Sequence, residues 1–182
     1  IKLMKKNISE ILNIDEDSAI LVVKLNQKNR LAGSIFSEVT ESKYTETPDI
    51  DDVKLFKSLF NHIQKLIKDS KILAMHDISD GGLVTALAEM CFTKKVGMRI
   101  QVDDIDNLNK TLFSEEIGFV IQVKSDDLDM VKSSLNTINI YVEEVATIVE
   151  ESFSILCKEK EVFSESITCL LYTSDAADEF SC

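Results

Sequence analysis

The chain has 182 residues, 45% of them hydrophobic and 29% charged, and its 20 Lys and Arg against 32 Asp and Glu leave a net charge of −12. That is one domain's length of chain with enough apolar material for a core, while one Pro, five Gly and the lack of an 18-residue apolar run set aside collagen, a disordered tail and a membrane span. Lysines scattered through so acidic a chain also argue against nucleic acid as a partner, so any bound anion needs a local device.

Ser18 to Leu25 is almost continuously apolar and rich in β-branched residues, the pattern of a central strand covered on both faces. Leu31-Ala32-Gly33-Ser34 leads into a brief helix ending at Val39, and Thr40 to Pro48 is a polar loop. From Asp49 onward Val53, Phe56, Leu59, Phe60, Ile63, Leu66 and Ile67 recur at three and four positions behind an aspartate-rich opening, which predicts a long amphipathic helix. Ile72 to Met75 reads as a short strand. Leu83 to Phe92, polar only at Thr85 and Glu89, reads as a buried helix.

Met98 to Val102 and Phe119 to Val123 read as strands, with a partly helical connection from Leu108 to Ile117 between them. Ser125 is placed as the N-cap of an amphipathic helix that uses Leu128, Val131, Leu135 and Ile138. Tyr141 to Val149, Phe153 to Cys157 and Val162 to Ser164 read as three short strands in an antiparallel ending. Helices and strands intermix without strict alternation, so the expected class is α+β, a mixed β-sheet covered by helices rather than a doubly wound parallel one.

Cys91, Cys157, Cys169 and Cys182 form no Cys-x-x-Cys pair, and four free thiols are expected rather than a zinc or redox motif. No secretory pattern opens the chain, which fits the reducing cytoplasm. It begins at Ile1 rather than Met, so a piece of a longer protein is expected and an upstream signal stays open.

Chemistry concentrates in Met75-His76-Asp77-Ile78-Ser79-Asp80-Gly81-Gly82, between a short strand and the buried helix. A strand-to-helix turn presents free backbone N–H groups at the positive end of a helix dipole, and paired glycines let a phosphate approach closely. Asp77 and Asp80 would repel that phosphate unless a cation lay between them. Magnesium suits the conflict, because it takes one or two carboxylates together with phosphate oxygens and water, and Asp77 at the strand's end is the better ligand. The same residues also suit plain helix capping by Ser79 or Asp80. His76, beside an apolar strand, is expected as a hydrogen-bonded structural imidazole, and His62 as solvent-facing or packed.

His76-Asp77-Ile78-Ser79-Asp80-Gly81-Gly82-Leu83, followed by Leu87-Ala88-Glu89-Met90 and Phe92, resembles the signature of the phosphoribosylformylglycinamidine synthase family, the long-type formylglycinamide ribonucleotide amidotransferases of purine synthesis. Leu31-Ala32-Gly33-Ser34, Pro48-Asp49, Leu112-Phe113-Ser114-Glu115-Glu116-Ile117-Gly118 and Val162-Phe163-Ser164-Glu165-Ser166 follow in that family's order and approximate spacing, so the likeness runs over residues 18–168. The resemblance implies that residues 1–168 form the C-terminal lobe of the second synthetase repeat, of the type found in the aminoimidazole ribonucleotide synthetase superfamily. It implies a cytoplasmic carbon–nitrogen ligase in which ATP activates the amide oxygen of formylglycinamide ribonucleotide and glutamine-derived ammonia displaces it to give the amidine. Asp77 matches the family's magnesium-binding aspartate and Ser79 its nucleotide-contacting serine; no residue of this chain is assigned to catalysis. ATP and magnesium are the implied cofactors, and the remaining synthetase and glutaminase domains the implied partners.

Such synthetases have one catalytic and one structural nucleotide site, and both assignments stay open here. Glu115 and Glu116 are expected as a solvated acidic turn. The chain holds no glutaminase nucleophile with its histidine and glutamate, so the isolated lobe is expected to be inactive. After Thr168 the likeness stops, and Cys169 to Glu179 resembles a translated sequencing adapter, so residues 169–182 are expected to be a non-native tail that packs little. Two other readings stay open: a lobe of a related kinase or synthetase acting on another phosphate ester, and a noncatalytic structural nucleotide-binding lobe.

Overall fold

Strand β1 (Ser18–Lys24) is buried along nearly its whole length because its two faces meet different layers. Ile20 and Val22 enter one core, Leu21 and Val23 the other, as a strand without a polar face requires. The computed structural model describes residues 8–179. Its other strands are β2 (Ala74–Asp77), β3 (Gly97–Val102), β4 (Gly118–Lys124), β5 (Tyr141–Val149), β6 (Ser152–Cys157) and β7 (Lys160–Ser166). All seven join one sheet in the order β2-β4-β1-β5-β3-β6-β7. Every neighbouring pair is antiparallel except β3 and β6, which run parallel, so the sheet is mixed and the class is α+β.

The expected antiparallel ending holds for β6 and β7 only, because β3 inserts between β5 and β6. The link from β5 to β6 therefore crosses the start of β3. Gly97 permits that crossing: its N–H bonds to the Glu150 carbonyl at 3.2 Å, and a Cβ there would meet the Ser152 carbonyl oxygen at 2.2 Å. Strand β7 is an edge strand exposed at every residue.

The described residues hold six α-helices: α1 (Ile35–Val39), α2 (Val53–Lys68), α3 (Gly82–Phe92), α4 (Leu108–Phe113), α5 (Leu128–Thr137) and α6 (Ile167–Glu179). Helices α3, α4 and α6 pack on the Ile20/Val22 face, and α2 and α5 on the Leu21/Val23 face. Helix α2 begins where the Asp52 carboxylate accepts the N–H groups of Lys54 and Leu55 at 2.8 and 3.0 Å, and it buries Leu59, Ile63, Leu66 and Ile67. The buried stripe is narrower than the apolar periodicity, for Val53 and Phe60 are exposed. His62 is packed, its Nε2 lying 3.0 Å from Ser134 Oγ on α5.

Ser125 does not cap α5. A 3-10 turn, Ser125–Asp127, precedes the helix, and the N-cap position falls to Asp127, which makes no side-chain cap bond. The Asp127 carboxylate is held by Lys71 at 2.6 Å instead, while the Ser125 N–H donates to the Asp17 carbonyl at 3.0 Å. Helix α6 continues past the buried Ile167 and packs on α3, with Leu170 partly buried against the core while Cys169 and Tyr172 are exposed. Among the described residues no helix is long and apolar enough to cross a membrane.

Candidate functional site

Strand β2 carries His76 and Asp77 to the rim, paired with Val120 and Phe119 of β4. Ile78 then turns inward, buried, with its N–H on the Gly118 carbonyl at 3.0 Å. The Gly82 N–H closes the turn on the Ser79 carbonyl at 3.0 Å. Gly81 and Gly82 take φ of +80° and +74°, a region L side chains rarely enter. A Cβ on Gly82 would also meet the Phe113 carbonyl carbon at 2.6 Å, so the start of α3 lies directly on the backbone that ends α4.

The N-cap of α3 is Gly81, with no side-chain cap bond, so neither Ser79 nor Asp80 caps the helix. Asp77, Ser79 and Asp80 instead form an exposed rim, with 68% of the Asp77 side chain accessible. His76 is hydrogen-bonded, as expected. Its Nδ1 donates to the Asp77 carbonyl at 2.7 Å, and its Nε2 lies 3.0 Å from Glu89 Oε2, which ties the end of β2 to α3.

Glu115 and Glu116 are not a solvated turn. Glu115 Oε1 accepts the Gly81 N–H at 2.9 Å and the Ile35 N–H at 3.0 Å, joining the start of α1 to the 77–82 turn. Stacked rings of Phe36 and Phe113, 4.7 Å apart, back that junction. Glu116, only 1% exposed, receives Arg30 Nε at 2.6 Å, Arg30 Nη2 at 2.8 Å and the Arg30 backbone N–H at 3.1 Å. Arg30 reaches on to Asp51 at 3.1 Å and the Asp49 carbonyl at 3.0 Å, which anchors the segment ahead of α2. Burial raises the Glu116 carboxyl, but the hydrogen bonds and charge of Arg30 outweigh it and hold the group below the usual carboxylate range. Periodicity could not pair positions so far apart in sequence. The available signal was that Arg30, one of only two arginines in the chain, directly precedes Leu31-Ala32-Gly33-Ser34.

Among the described residues no three His, Cys, Asp or Glu side chains converge to cage a metal. One exposed carboxylate beside a helix start fits a magnesium ion that arrives with a nucleotide, since magnesium keeps most of its shell in water and phosphate oxygens. It does not fit a resident ion held by this lobe alone.

Residues 15–158 match the family model of the AIR synthase related protein, C-terminal domain. Thermotoga maritima PurL complexed with FGAR superposes at a TM-score of 0.71 with 16% identity, over 90% of this chain and 29% of that chain. The same protein complexed with ATP gives 0.69 and 13%, over 91% of this chain and 27% of that chain. Thiamine-monophosphate kinase from Stenotrophomonas maltophilia gives 0.55 and 12%, over 85% of this chain and 54% of that chain. At these identities the likeness is one of fold, and the chain spans less than a third of the PurL chains it resembles. With the family model covering most of the chain on top of the mixed sheet and the glycine turn, the chain belongs to the AIR synthase related proteins and carries their C-terminal domain.

Proposed function

We propose that residues 1–168 are a lobe of a phosphoribosylformylglycinamidine synthase, a cytoplasmic glutamine-dependent ligase, and that this lobe helps hold a magnesium–ATP complex. The carrying observation is the 77–82 turn, where uncapped Asp77 and Ser79 side chains stand exposed at the start of a buried helix. The resemblance of His76 to Gly82 to that family, and the ATP and FGAR named with the PurL structures, support the same reading.

In this reading the Ser79 hydroxyl donates to a phosphate oxygen, and the N–H groups of α3 add a weaker positive field. His76 and Glu89 hold the end of β2 against α3 and so position Asp77, the residue that would hold magnesium. When bound, the ion screens the repulsion between the Asp77 carboxylate and phosphate. Positioning a transferring phosphoryl group needs groups from more than one side. The remaining synthetase and glutaminase domains are therefore required, and residues 169–182 are an appended, non-native tail even though Leu170 packs on the lobe's core.

Calorimetry of nucleotide-stripped parent enzyme, with and without magnesium, tests the site. Ser79→Ala should cost about 0.5–1.5 kcal/mol of nucleotide binding if its bond is neutral, and Asp77→Asn should cost more, chiefly when magnesium is present. Equal affinity for parent and Asp77→Asn in magnesium would sink the metal role. The isolated chain should form no amidine from ammonia, ATP and the ribonucleotide. A parent that phosphorylates another ester instead of forming the amidine would assign the lobe to a kinase such as the thiamine-monophosphate type, whose fold it shares. Normal folding, nucleotide content and turnover in parent Asp77→Ala would leave it a purely structural lobe.

A further inference from the structure

A second concavity, of about 380 Å³, opens where the 26–29 segment and α4 meet the β1, β5 and β3 face. Asp77, Ser79 and Asp80 do not line it, so it is separate from the acidic rim. Lys24 lies in its wall, only 3% exposed. The side chain continues the Ile20/Val22 alternation of β1 and sits opposite Tyr141 in the register with β5, where an apolar residue would cost nothing. Its ammonium makes one hydrogen bond, to Asn29 Oδ1 at 3.2 Å, and among the described residues it has no carboxylate within ion-pair distance.

Acids reach Lys24 only through space, although Asp103, Asp104 and Glu143 share the cavity wall with it. Glu116 is bound to Arg30, Glu143 accepts the Tyr141 hydroxyl, and Asp104 accepts the N–H groups of Asp106 and Asn107. Lys28, already paired with Asp51, and Lys110 on α4 bring two further ammonium groups to the same cavity. A buried ammonium with two unused donors is a costly feature unless something completes it. We propose that this cavity binds a small oxyanion, the phosphate or carboxylate group of a metabolite, with Lys24 as its counter-charge. Asp103 at the same cavity gives that ligand's remainder an acceptor suited to hydroxyl or amine groups.

Calorimetric titration of the full chain with inorganic phosphate, and separately with acetate, at constant ionic strength in chloride, tests the site. At least one probe should bind saturably; phosphate alone assigns a phosphate ligand and acetate alone a carboxylate. Lys24→Met should weaken that binding at least tenfold, whereas Lys124→Met, at a surface lysine paired with Glu16, should leave it unchanged. Thermal melting checks that each variant folds. If Lys24→Met does not, the ε-methylene NMR signal of Lys24 in the wild type should move along the titration. No saturable binding of either probe, unchanged affinity in folded Lys24→Met, or a stationary Lys24 signal overturns the proposal.

Discussion

Two buried charges, Glu116 and Lys24, pull stability in opposite directions. Glu116 is paired with Arg30, so Arg30→Ala or Glu116→Ala leaves the other charge buried without a partner and should cost about 3–5 kcal/mol in urea unfolding. Because the folded carboxyl lies below its ordinary range, its contribution is present above that range and is lost as pH falls through the lowered folded value. Wild type should therefore lose stability in acid more steeply than Glu116→Gln. Burial pushes the Lys24 ammonium down to about 8, offset only partly by Glu116 and Glu143. Between that value and its ordinary 10.5 the unfolded chain binds more protons, so stability should rise with pH, by about 3 kcal/mol at most. Above the ordinary range of tyrosine, the raised Tyr141 hydroxyl acts the other way, because the unfolded phenol ionises first. The buried Cys91 thiol, pushed up to about 12, also acts the other way above its ordinary 9.0, so the readout is a difference. The urea midpoint of Lys24→Met should exceed that of wild type at pH 7, and the gap should narrow from pH 8 to about 9.5. At this scale the exposed strand-to-helix turn that carries Asp77 and Ser79 was legible because turn chemistry is local. Glu115, Glu116 and Lys24 were not, because their roles depend on partners or walls brought by distant segments.

Helices α2 and α3 and strands β1, β3 and β4 follow the sequence pattern closely, since each has a long apolar period that one packing partner satisfies. Caps were less legible: an aspartate or serine marks a helix start only if its side chain is free, and Asp127 is taken by Lys71. The junction of α3 with α4 yields a graded test. Ala at Gly33 and Ala at Gly82 both face a positive φ, yet at Gly33 the nearest atom to a new Cβ is 3.9 Å away, and at Gly82 backbone blocks it at 2.6 Å. Both should destabilise, Gly82→Ala by clearly more than about 1 kcal/mol, and Gly82→Ala should melt lower. Truncation after Thr168 keeps buried Ile167 but removes Leu170 from the core, so it should cost about 1–2 kcal/mol and lower Tm by several degrees. An unchanged Tm would mean that α6 beyond Ile167 contributes no packing.

The class of the whole molecule was legible from intermixed periods of two and about four, but the strand order was not. Apolar alternation says that a segment pairs, not with which neighbour, and nothing in residues 141–157 announces that β3 lies between β5 and β6. The position of β1 has a further consequence for how the chain is made. Both of its neighbours come from late in the sequence, β4 beginning at Gly118 and β5 at Tyr141. As the polypeptide leaves the ribosome, Ala19 to Val23 must wait as an unpaired hydrophobic stretch until their partners Phe119 to Val123, roughly a hundred residues further on, have emerged. Pairings of such long range fold slowly and leave the waiting strand open to aggregation. Chains ending at Asn139 should accordingly show no cooperative unfolding transition and should be retained by chaperones during synthesis, whereas chains ending at Thr168 should be released folded.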